Sequence, residues 1–147
     1  MTLRALSGLA AAAFAGHPEA ATSTTLSVAQ FGALSAALTG YPVPDADTLG
    51  KMMRAFVTPA RRAEVVALAQ LVAATPPGQL DAALRERKLD KVADALVAAW
   101  FSGVVVTPQG QKLVLYTEAY VWSAMTYSKP MGVCGGVTGY WSSPPAA

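Results

Sequence analysis

Apolar side chains recur through the middle of the chain at the three- and four-residue steps that place them on one face of a helix. Ser27 followed three residues later by Gln30 has the spacing of a capping box, and Phe31, Leu34 and Leu38 then keep helical register until Gly40 and the turn-forming "YPVP". Asp45 is placed to cap a second helix, whose Leu49, Met52, Met53 and Phe56 line one face. Thr58 before Pro59 predicts the start of a third, because proline at the first helical position loses no hydrogen bond; its stripe is Val65, Leu68, Ala69 and Val72. "TPPG" at 75–78 ends it. Leu80, Ala83 and Leu84 predict a short fourth helix running into "RERK", and Leu89, Val92, Leu96 and Trp100 a fifth. "TPQG" at 107–110 reads as a break, after which a sixth helix is expected from Lys112 to Met125.

Strand signals are scarce, "GVVVT" at 103–107 being the only strand-like run. The expected fold is therefore all-α: a compact bundle of about five to six helices with short connections and an extended Gly/Pro/aromatic carboxyl-terminal tail. The predicted sixth helix is unusual. Its polar residues, Lys112, Thr117, Glu118 and Ser123, do not gather on one side, so such a helix needs cover nearly all round. Either it is central to the bundle, or a partner covers one side through Tyr116, Tyr120, Trp122 and Tyr127. Glu118 in such a helix needs a cation, a hydrogen-bond donor or a route to solvent.

The two ends read differently from the middle. Residues 1–15, "MTLRALSGLAAAAFA", have the basic start, apolar run and small-x-small end of an export signal, with an alanine-rich helix as the alternative. Residues 16–26 read as a linker, 27–128 as the helical domain and 129–147 as the extended tail. Apolar residues make up 53% of the chain and charged ones 14%, which leaves apolar surface for a partner without a run long enough to span a membrane. The net charge of +2, with basic residues offset by neighbouring acids, argues against nucleic acid.

Catalytic chemistry has little to work with. The one histidine, His17, falls within the linker, so Ser-His-Asp, Cys-His, zinc and haem arrangements lack their ligands. Neither a dinucleotide fingerprint nor a phosphate loop is present. No catalytic residue, metal ligand or cofactor-binding residue is therefore assigned. The one cysteine, Cys134, is odd in an exported chain and leaves three readings: an interchain disulfide, an inert thiol or a nucleophile near Lys129. Gly135 and Gly136 beside it allow close backbone approach to another surface. Tyr140, Trp141 and Pro144 would be rigid anchors for a partner, and Trp100, Phe101 and Gly103 would end the fifth helix at the interface, with a core role as the alternative for Trp100.

"AWFSGVV" (99–105), "LYTEAYVWSAM" (115–125), "CGG" (134–136) and "GYWSSPPA" (139–146) together resemble the small subunit of membrane-bound FAD-dependent sugar and polyol dehydrogenases. That group includes D-sorbitol and fructose dehydrogenase and the gamma subunit of bacterial FAD glucose dehydrogenase. "LSVAQFGALSAALTG" (26–40) fits with less specificity. The resemblance implies a non-catalytic subunit in a three-part complex, with FAD in a large partner and haem c in a membrane multihaem cytochrome. It implies a periplasmic location at the inner membrane, held there through the complex with no span of its own once the signal is removed. It also implies that Cys134 bonds to the large subunit and that this chain escorts that subunit through export. Here the pattern departs from the family, because only Arg4 precedes the apolar run where relatives carry a twin-arginine pair. A free-standing periplasmic helical adaptor or chaperone is the alternative that the residues leave open.

Overall fold

A computed structural model describes residues 25–125 and residue 130. Its helices are α1 (Val28–Thr39), α2 (Ala46–Phe56), α3 (Arg62–Ala74), α4 (Leu80–Glu86), α5 (Asp90–Ser102) and α6 (Tyr120–Ala124). A 3₁₀ turn at Pro77–Gln79 precedes α4, and strands β1 (Val104–Thr107) and β2 (Gly110–Leu113) separate α5 from α6. The fold is mostly helical, with one two-stranded antiparallel hairpin.

Local chemistry fixes most boundaries. Both halves of the capping box form at the start of α1: the Gln30 amide donates to Ser27 Oγ at 3.1 Å and the Ser27 amide to Gln30 Oε1 at 2.9 Å. Asp45 accepts from the amides of Asp47 and Thr48, each at 3.0 Å, and so starts α2. Gly40 and Gly103, both at φ 72°, end α1 and α5 in the left-handed conformation that glycine takes without strain. "RERK" closes α4 in a Schellman turn, with Lys88 at φ 57° and the Leu89 amide donating to the Leu84 carbonyl at 2.9 Å. The third helix begins at Arg62, three residues after Pro59. The Thr58 carbonyl accepts from the amides of both Arg61 (3.1 Å) and Arg62 (2.9 Å), so Pro59–Arg61 form a turn ahead of it.

The predicted faces converge on one core. Phe31, Leu34, Leu49, Met52, Phe56, Val65, Leu68 and Leu96 are all buried, and Leu26 joins them from the end of the expected linker. Each such side chain is worth roughly 1.5–3 kcal/mol when fully withdrawn from water. Ala69 and Val72 pack at the margin of this core and are only partly covered.

The long sixth helix is a correction. Residues 112–125 fold as the end of β2, a loop, a turn at 116–118 and the five-residue α6. "TPQG" is a hairpin turn, with Thr107 paired to Gly110 and the Thr107 hydroxyl donating to the Gly110 carbonyl at 2.9 Å. The scattered polar positions follow, since Lys112 is on a strand and Thr117 and Glu118 are in the turn, all exposed. Glu118 is thus no buried charge in an apolar helix: it meets solvent, and its own backbone amide foremost, with the Thr117 hydroxyl, holds its carboxyl below the usual range.

Candidate docking surface

Trp100 and Gly103 lie inside the domain. The Trp100 indole is fully buried, and its N–H donates to Ser35 Oγ at 3.0 Å while that hydroxyl donates to the Phe31 carbonyl at 2.8 Å. Of the two roles that the sequence left open for Trp100, the structure places its side chain in the core, because a fully buried indole with its polar atom satisfied has no exposed face to offer. Gly103 is equally internal. A Cβ at this position would stand 2.0 Å from the Leu115 carbonyl oxygen, so only glycine lets the chain turn there from α5 into the hairpin.

An aromatic stack grows outward from Trp100. Tyr120 lies parallel to the indole, with ring centres 5.2 Å apart, and Tyr41 stacks on Tyr120 at 4.8 Å. Phe101 meets both tyrosines edge-on, at 5.5 and 6.0 Å, and is half-buried. The Tyr120 hydroxyl donates to the Pro42 carbonyl at 3.3 Å, and burial pushes its phenol pKa up. This stack, worth about 0.5–1.5 kcal/mol per ring pair beyond area, seats the short α6 on the α1–α2 connection. The pairing of Tyr41 with Tyr120 has no local signal in the sequence, since even the neighbouring Tyr120–Pro42 hydrogen bond joins positions 78 apart.

Beyond the stack the surface opens. Tyr116 is 41% exposed and packs edge-on against the half-buried Trp122 at 6.0 Å, whose indole N–H donates to the Tyr116 carbonyl at 2.6 Å. The hairpin adjoins this pair in sequence. Val105 points into the core, fully buried, so its neighbours Val104 and Val106 face the other way. The register sets Leu113 opposite Val104 and Gln111 opposite Val106, so the outer face of the hairpin carries two valines and a leucine. Val106 and Leu113 are 58% and 61% exposed, the most exposed large apolar side chains among the described residues. A helical reading of 112–125 conceals Leu113, and only the i, i+2 spacing of Val104 and Val106 signals an outward apolar pair.

A second apolar surface is a furrow of about 450 Å³ between α1 and α3, lined by Ala33, Ala37, Ala69 and Ala73 with Gln30 and Gln70. Among the described residues no ionisable side chain lines it. Among the described residues no three His, Cys, Asp or Glu side chains gather to hold a metal ion, and no helix is long and apolar enough to cross a membrane. Cys134, Gly135, Gly136, Tyr140, Trp141 and Pro144, like the expected export signal, lie outside the described residues.

Fold and surface define a small helical domain with an outward apolar hairpin and an aromatic flank. The chain belongs to the family described as membrane bound FAD containing D-sorbitol dehydrogenase, whose model matches residues 1–145. This is the small-subunit family that the sequence resembles, and the match extends the likeness from the carboxyl-terminal motifs to nearly the whole chain. No curated protein and no solved structure matches it.

Proposed function

We propose that this chain is the non-catalytic small subunit of an exported FAD-dependent sugar or polyol dehydrogenase, and that it binds and stabilises the large flavoprotein subunit. The observation that carries the reading is the outer face of the hairpin. Val106 and Leu113 stand in solvent in a chain whose family is that of an FAD-dependent dehydrogenase of several subunits. Exposed apolar surface of this kind is stabilised by a partner, and aromatic side chains such as Tyr116 and Trp122 are favoured anchors.

In this reading FAD and substrate belong to the large subunit, and electrons leave through a membrane multihaem cytochrome c. The complex sits in the periplasm, peripheral to the inner membrane. Cys134, flanked by Gly135 and Gly136, forms a disulfide with the large subunit, and Tyr140, Trp141 and Pro144 extend the contact. Escort of the large subunit through export is part of the same role.

The test is purification through a tag on this chain, from its native membranes. A flavin-bearing large subunit should come with it and migrate as one band with it on a non-reducing gel, while the chain alone shows no flavin absorbance and oxidises no polyol. Cys134→Ser should separate the two bands and leave co-purification intact. Flavin bound to the isolated chain, or recovery of varied clients without a flavoprotein, would overturn the proposal.

A further inference from the structure

The hairpin has one closed edge and one open edge. On the β1 side, the Val104 amide donates to Ser102 Oγ at 3.1 Å and the Val106 carbonyl accepts from Arg61 Nη2 at 2.8 Å. Those groups therefore point away from β2. The Gly103 carbonyl accepts from the Val114 amide at 2.8 Å, so the bonded pairs of this ladder are Gly103–Val114, Val105–Lys112 and Thr107–Gly110. Gln111 and Leu113, opposite Val106 and Val104, then turn their N–H and C=O groups outward. Among the described residues no backbone partner takes them.

From this geometry we infer that β2 is the acceptor edge for an extended segment of the flavoprotein subunit, which adds to the hairpin as a third strand. The inference rests on the small-subunit reading. Water can satisfy these exposed groups in the free chain; among protein elements, an extended backbone is the one that matches amides and carbonyls spaced two residues apart along an edge. A two-stranded hairpin is marginal by itself and gains from a third strand. The added strand's side chains would continue the outer face of Val104, Val106 and Leu113, so apolar residues at alternate positions are expected in it.

A second copy of this chain fits less well. Antiparallel pairing of two β2 edges that satisfies both outward residues must set Gln111 against Leu113 of the other copy, and the reverse. That register puts Lys112 directly opposite Lys112, a like-charge pair on adjacent strands.

Hydrogen exchange on the purified complex and on the isolated full chain tests the inference. The Gln111 and Leu113 amides should exchange at least about a hundredfold more slowly in the complex. Gln111→Pro removes an outward N–H and no ladder bond, so it should weaken the complex at least about tenfold while Gln111→Ala, which keeps the N–H, leaves it unchanged. A complex in which these amides exchange as in the free chain overturns the edge inference and leaves the small-subunit reading standing. Protection already present in the free monomer, which would mean closure by this chain's own remaining residues, or protection through self-association also overturns it. Absence of any complex removes both readings together.

Discussion

The indole N–H of Trp100 donates to the hydroxyl of Ser35 across 65 residues of sequence, with both side chains fully removed from solvent. The bond ties α5 to α1 at the base of the aromatic stack. Ser35→Ala leaves the indole N–H buried without an acceptor and should cost about 1–3 kcal/mol in urea unfolding. Trp100→Phe loses volume as well as the donor and should cost at least as much. Because the double variant orphans no indole, its loss should be smaller than the sum of the singles. Strict additivity would show the bond to be energetically idle.

Gly103 and Gly40 share a φ of 72° and differ in their surroundings, which separates backbone strain from steric exclusion. Among the described residues a Cβ at Gly40 meets nothing within 4 Å, whereas at Gly103 it meets the Leu115 carbonyl oxygen at 2.0 Å. Gly40→Ala should therefore cost about 1 kcal/mol, the left-handed penalty alone. Gly103→Ala should cost at least about 3 kcal/mol, because backbone has to move and the hairpin shifts off the core. Equal losses would mean that Leu115 yields freely.

These contrasts show which parts of the fold were legible in the sequence. Ser27, Gln30, Asp45, Gly40 and Gly103 act within one turn of their own positions, so spacing alone reveals them as caps. β2 is invisible to the same reading because none of its residues is buried; Gln111, Lys112 and Leu113 have no inward face and hence no alternation. Its strand identity comes from backbone pairing with β1, a relation between segments. Of the aromatic residues of 115–125, Tyr120 joins the core and Tyr116 stays exposed, a division that sequence order does not reveal, and the assignment of a long helix puts Glu118 in a setting it does not have. Trp100 could be core or interface on sequence grounds because either role needs a large ring at a helix end; its hydrogen bond to Ser35 decides where it sits.

Asp45 links the start of α2 to pH. The Thr48 amide foremost, with that of Asp47, holds its carboxyl below the usual range in the folded chain. The unfolded chain therefore binds this proton more readily. The stabilisation is complete above the ordinary carboxylate value and is lost as pH falls through the lowered folded value. Glu118 contributes with the same sign. Asp45→Asn keeps the cap and should flatten part of the acid limb of a Tm-against-pH curve. Asp45→Ala should lower Tm at neutral pH. An acid limb unchanged in both variants would assign the acid sensitivity to other carboxylates.

Arg61 holds the closed edge of the hairpin to the helical body. Its guanidinium lies 5.0 Å from the centre of the Phe56 ring while Nη2 donates to the Val106 carbonyl. One planar group thus spans the end of α2, the turn before α3 and β1. Lysine keeps the charge but has neither the flat face nor the fork to reach both partners. Arg61→Lys should cost about 1 kcal/mol, the scale of an exposed ring contact plus one charge-assisted hydrogen bond discounted for solvent. The loss should be local before it is global: exchange at the ladder amides of Val105 and Lys112 should quicken more than exchange in α1 or α5. If Arg61→Lys quickens every helix alike, the side chain supports the whole core; if it changes neither region, the hairpin is held by Val105 and Gly103 alone.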